Sequence, residues 1–155
     1  MANPFLPEKY RSLTVKLTSK RELTDQSVFE NNMHLMVFAA MVGHSVSEDE
    51  YDPSTFEKGT EVPTEVFENA NKDGLAYLLA LHEESTGEIL REGRENDCWD
   101  VIQKYAHIGM EVIEQWMRDR PTDNDGVDTI LFHMKSEANR LISEEAEDSP
   151  ITIKV

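Results

Sequence analysis

The chain has 155 residues, 39% apolar and 30% charged, with 31 acidic against 15 basic side chains and a formal net charge of -16. That length suits one domain burying about two-thirds of its unfolded surface. The single Cys98 excludes an internal disulfide and a cysteine-cluster metal site, and fits a reducing compartment.

Residues 1–24 read as a basic N-terminal arm or strand. Leu13-Thr14-Val15-Lys16-Leu17 alternates apolar and polar side chains, as a half-buried strand or an extended arm does. Pro4, Pro7 and Glu8 interrupt the start and no apolar h-region follows, so no secretory signal is expected. Residues 25–148 read as a helical domain. Thr24 or Ser27 can cap its first helix. Val28, Leu35, Met36, Phe38, Ala39 and Val42 then recur at helical intervals, and Gly43 can close the helix. The segment Asn32 to His44 is the one long, nearly uncharged apolar run. It cannot stay exposed, and its broad apolar face calls for neighbours on more than one side. Met33–Val42 is too short to span a bilayer. A soluble cytoplasmic protein without a membrane partner is expected.

Residues 44–63 read as an acidic loop broken by Pro53, Gly59 and Pro63, with Tyr51 and Phe56 pinning it to the core. A connection of this length in a compact domain is functional or mobile. Its carboxylates Glu48, Asp49, Glu50, Asp52, Glu57 and Glu61 are the candidate partner-docking residues. A second helical region starts at Pro63-Thr64, with Val66, Phe67 and Ala70 inward. After Asn71-Lys72-Asp73-Gly74 comes a helix carrying Leu75, Leu78, Leu79 and His82, which Gly87 stops. Ile89-Leu90 makes a short apolar contact. From Asp97 to Arg118, Trp99, Ile102, Tyr105, Ala106, Gly109, Val112, Ile113 and Trp116 form a sustained helical stripe. A mid-helix glycine costs about 1 kcal/mol against alanine, so Gly109 reads as a place where another helix comes close. Pro121 ends the run. Asp123 or Asp125 caps a last helix whose Val127, Ile130, Leu131, Met134, Ala138 and Leu141 share a face. Residues 149–155 read as an extended tail, its Ile151, Ile153 and Val155 suited to pairing with Leu13–Leu17 or with a partner's sheet edge.

The charge is uneven. Residues 1–24 carry five basic and two acidic side chains, a local +3, and the remaining ten basic and twenty-nine acidic side chains leave -19. Such a field repels phosphate, so direct nucleic-acid binding by the body is not expected. It either solvates the surface, docks on a basic protein or imitates a DNA backbone. Lys9, Arg11, Lys16, Lys20 and Arg21 around Tyr10 could track phosphate, but an acidic body favours their folding back on it.

Nothing nominates an active site. No two of His34, His44, His82, His107 and His133 pair at helical spacing, and His82-Glu83 lacks the second histidine of a zinc-protease motif. Cys98 beside Trp99 carries no nucleophile signature. There is no phosphate-binding or dinucleotide glycine loop and no GxSxG. Catalytic residues, metal and cofactor are therefore expected to be none.

The block Val28-Phe29-Glu30-Asn31-Asn32-Met33-His34-Leu35-Met36-Val37-Phe38-Ala39-Ala40-Met41-Val42-Gly43 resembles the opening helix of a small bacterial and archaeal family, the DNA phosphorothioation-associated (Dnd-system-associated) proteins. Tyr105-Ala106-His107-Ile108-Gly109-Met110-Glu111-Val112-Ile113 is similar to a second family segment, and Val66-Phe67 with Leu75–Leu81 fits its middle helix. The resemblance covers residues 28–118 and implies an accessory protein of a DNA sulfur-modification and phage-defence system. It carries over no catalytic residue. Under it Ala39, Ala40, Gly43 and Gly109 read as helix-packing positions.

The expected fold is mainly α, a compact bundle of four to five helices with room for a short strand pair between the N- and C-termini. The expected function is non-enzymatic docking to another defence-system protein, with homo-oligomerisation open. An acidic DNA-mimic inhibitor of a nuclease or DNA-binding protein is the alternative.

Overall fold

The computed structural model describes residues 3–21, 24–46 and 51–148. Strand β1, Phe5–Pro7, turns through a 3-10 segment into helix α1, Arg11–Thr18. Helix α2 spans Asn32–Val46, and strand β2 follows at Lys58–Glu61. Helices α3 (Thr64–Asn69), α4 (Asp73–Glu84), α5 (Glu95–Asp119) and α6 (Val127–Asp148) complete the order. The mainly α bundle with a small strand pair is what the sequence leads one to expect.

The centre of the bundle is α2 crossing α5, its most extensive element pair. Met33, Leu35, Met36, Ala39, Ala40 and Gly43 of α2 are buried, and between Met33 and His44 only Met41 is exposed. The helix is apolar nearly all round because it is enclosed nearly all round. The two backbones come together at glycines. A Cβ on Gly43 would lie 1.9 Å from the Tyr105 carbonyl oxygen, and one on Gly109 would lie 1.7 Å from the Ala39 carbonyl oxygen. Ala39 and Ala40 are fully buried at this crossing.

Gly43 therefore does not close its helix, as its sequence position suggests; α2 continues three residues beyond it to Val46. The start differs as well. Neither Thr24 nor Ser27 caps α2; the Asn31 side chain accepts the His34 amide at 3.0 Å, and Val28 and Phe29 pack on the core ahead of the helix.

Leu13–Leu17 is helical, not a strand or extended arm. Its apparent alternation depends on Val15, which is exposed. The buried side chains are Tyr10, Leu13, Thr14 and Leu17, which is the three- and four-residue spacing of a helix face. The strand that does form lies upstream. β1 pairs antiparallel with β2, Phe5 opposite Glu61 and Leu6 opposite Thr60, so the 44–63 connection is partly strand and closes the small sheet. The proposed pairing of residues 149–155 lies outside the described residues. Both Asp123 and Asp125 serve the start of α6. Asp123 accepts the Thr129 amide at 2.7 Å and hydroxyl at 2.6 Å, and Asp125 accepts the Val127 amide at 3.1 Å.

The glycine crossing makes a sharp stability prediction. Gly109→Ala gains about 1 kcal/mol in helix propensity but forces two backbones apart, so a net loss of about 2 kcal/mol is expected in urea unfolding. Gly74→Ala, whose Cβ would meet nothing within 4 Å, should instead stabilise by about 0.5–1 kcal/mol. Equal effects at the two sites would refute the close-approach account.

Candidate functional site

The acidic segment is anchored to the body by its aromatic residues. Tyr51 and Phe56 stack at 5.7 Å and both approach the His107 ring. Of the candidate docking carboxylates, Glu48, Asp49 and Glu50 lie outside the described residues. Asp52 accepts the Ser54 hydroxyl at 2.7 Å and its amide at 3.0 Å, and these bonds hold its carboxyl below the usual range. Glu61 faces Lys58 at 2.8 Å, which lowers its pKa in the same way. Glu57 is exposed, and its backbone carbonyl accepts the Glu8 amide. Two of the three described carboxylates are thus engaged locally.

Most cations are also engaged. Among the described residues nine of the fourteen basic side chains face a carboxylate, among them Arg11 with Glu8, Arg21 with Asp125, Arg94 with Glu84 and Asp97, and Arg140 with Glu137 and Glu144. Lys9 lies over the Tyr10 and Phe56 rings, and Arg120 lies 3.9 Å from the Phe132 ring. The basic N-terminal residues belong to this internal pairing. Lys16 donates to the Asp123 carbonyl at 3.1 Å and Arg21 faces Asp125 at 3.6 Å, so they fasten the turn that enters α6.

His107 is fully buried on α5. Its Nε2 lies 2.7 Å from the Phe5 carbonyl oxygen, which can only accept, so Nε2 carries the proton and Nδ1 accepts from the Tyr51 hydroxyl at 2.9 Å. Burial pushes its pKa down to about 4, because the charged form loses its hydration. The ring ties β1 and the acidic segment to α5. Cys98, also buried, directs its thiol at the Ile89 carbonyl, 3.6 Å away. Burial raises its pKa, which disfavours a nucleophilic thiolate.

A contact without a sequence signal joins α2 to α4. His44 Nε2 lies 3.4 Å from His82 Nδ1, and the His44 ring meets the Tyr105 ring edge-on at 5.2 Å. Tyr105 donates to Glu83, which also takes Lys104 at 2.6 Å; the lysine and the tyrosine together lower the Glu83 pKa. Beside the histidines lies an open apolar groove of about 580 Å³ lined by Met41, Leu75, Leu78 and Leu79. Thirty-eight residues separate the two histidines, and only the packing of α4 and α2 on a common helix brings them together. Among the described residues no group of three or more histidines, cysteines or carboxylates is placed to hold a metal ion.

Helix α6 carries five of the ten large apolar side chains that are exposed among the described residues. Thr129 and Ile130 are buried, and His133 stacks on Trp116 with ring centroids 4.1 Å apart. Beyond them Leu131, Phe132, Met134, Leu141 and Ile142 are 45–64% exposed. Residues 138–146 are exposed throughout. The sequence indicates one apolar face on this helix; the structure buries only its first turns.

Fold and surface together define a small, acidic helical bundle with an apolar helix offered to solvent. The chain belongs to the family of DNA sulphur modification system-associated protein 4, whose model matches residues 6–151. The match extends past the 28–118 resemblance at both ends and takes in most of β1, α1 and the whole of α6. No curated protein and no solved structure matches. Among the described residues no helix is long and apolar enough to cross a membrane.

His107 gives a pH signature. Between the ordinary value of 6.5 and the folded value of about 4, the unfolded chain binds a proton that the native state does not. Stability is therefore complete above 6.5, falls as pH drops through this window, and levels off below it. From pH 7 to 5 the wild type should lose about 2 kcal/mol more than His107→Gln, read from urea midpoints. Parallel losses in the two proteins would contradict a neutral, buried imidazole.

Proposed function

We propose that the protein is a non-enzymatic accessory of a DNA sulphur modification system in phage defence, working in the cytoplasm by docking to another protein of that system. The observation that carries this reading is the exposed apolar face of α6 on a chain whose family is associated with such a system. Several large apolar side chains exposed on one otherwise charged helix make a protein-contact surface by their physical chemistry. His107 and Cys98, the buried histidine and the buried cysteine, are committed to structural bonds. The pairing of most cations with local carboxylates leaves little positive surface for phosphate, which supports protein over nucleic acid as the partner.

Imitation of a DNA backbone draws less support. It needs a continuous carboxylate strip, and ion pairs on α1, α4, α5 and α6 interrupt the acidic surface. Co-expression of the tagged chain with the proteins encoded beside it, followed by affinity capture at low and moderate salt, tests the reading. Recovery of a modification-system component is expected; capture of none at either salt would overturn it.

A further inference from the structure

We propose that the exposed stripe of α6 seats a basic amphipathic helix of the partner protein, a proposal that rests on the docking function above. Val127, Leu131, Met134, Ala138 and Leu141 follow one another at intervals of four, three, four and three. That is the seam of a coiled coil, in which each side chain enters a hole formed by four residues of a facing helix. An extended strand offers no such holes. Ala138 at the middle of the seam lets the facing helix come close. At 22 residues the helix is about 33 Å long, and the body covers only its first turns. The covered line runs through Ile130 and His133, about 100° round the helix from the seam. The seam therefore lies to the side of the line that meets the body.

Helix α6 carries Asp128, Glu137, Glu144 and Glu145 against Lys135 and Arg140. Arg140 is already shared between Glu137 and Glu144. Glu137 and Glu144 border the seam on one side and Asp128 and Lys135 on the other, on a chain of net -16, and a helix with lysine or arginine flanks is the complementary occupant. A second copy is the poorer fit. Antiparallel pairing of two α6 helices would set Glu137 and Glu144 against their own counterparts. Parallel pairing would set Glu137 against Ile142 and bury a carboxylate on an aliphatic side chain. Either arrangement also brings together two strongly acidic bodies.

The test uses the full chain and three synthetic peptides of about 21 residues, or three heptads. One has leucine on a four–three seam with lysine flanks, one has the same composition with the leucines scrambled off the seam, and one keeps the seam with glutamate flanks. Calorimetry should detect binding of the first alone, weakening with salt, with a gain of helical circular dichroism. Leu141→Glu and Met134→Glu alter exposed side chains and should leave the fold intact by circular dichroism, while lowering affinity at least about tenfold. Equal binding of the scrambled peptide would reduce the effect to charge, and equal binding of the glutamate-flanked peptide would remove charge complementarity; either overturns the proposal. A concentration-dependent dimer in sedimentation that Leu141→Glu dissolves would assign the stripe to a second copy and overturn it also. So would failure of all three peptides to bind, the result expected if residues 149–155 of the chain itself occupy the stripe. If Leu141→Glu captures the co-encoded partner as well as the wild type does, this inference falls and the docking function stands. If the wild type captures no partner, the docking function itself falls.

Discussion

The approach of α2 to α5 at Gly43 and Gly109 sets the geometry of everything else. A Cβ at these two positions would fall 1.9 and 1.7 Å from the opposing carbonyl oxygens, which leaves no room for any side chain. Interhelical spacing is therefore fixed by backbone rather than by adjustable side-chain packing. Close-packed helices of this kind have little freedom to slide, because a shift along either axis puts Ala39 or Tyr105 where a glycine is needed. The enclosed apolar run of α2 follows from the same contact, and so does the placement of α4, which packs on α5 and brings His82 against His44.

His107 extends this rigid pair outward. Located two residues before Gly109, it faces the opposite way from the crossing and accepts one bond while donating another. Through Phe5 it holds the strand that begins the described chain, and through Tyr51 it holds the acidic segment. A fully buried polar ring is costly unless both nitrogens are satisfied, and here each has a partner from a different part of the sequence. The basic N-terminal residues act similarly at the other end, Lys16 and Arg21 fixing the turn into α6. Their local excess of positive charge serves internal pairing.

Much of this is legible in the chain because it is expressed through local period. The stripe from Trp99 to Trp116 makes α5 plain, and the glycine inside it has no reason to be there except close approach. What is not legible depends on partners distant in sequence. Leu13–Leu17 offers two periods at once, and only the burial of Tyr10 and Thr14 decides for the helix. Gly43 resembles a helix terminus because helices commonly end at glycine; the Tyr105 backbone that explains it lies sixty-two residues away. The His44–His82 contact and the β1–β2 pairing have no local signature whatever. Within the candidate docking surface, the acidic residues 48–50 stand out by density of charge, whereas the exposure of α6 cannot be seen at all. An amphipathic pattern gives the same signal whether the apolar face meets the body or the solvent.

That ambiguity bears on how the protein works. Folding needs α6 only as far as Ile130 and His133; its remaining turns add length without adding core. A helix is rarely stable alone at this length, so the ion pairs of Arg140 and the cap at Asp123 become important to keeping the outer turns in register. Each exposed pair is worth less than about 1 kcal/mol, which suits a segment that must stay helical yet remain available. The rigid glycine crossing and the lightly held outer helix thus divide the molecule into a part that specifies shape and a part that carries the exposed apolar side chains. The acidic field spans both. It opposes self-association of the apolar stripe while leaving a positively flanked helix free to approach.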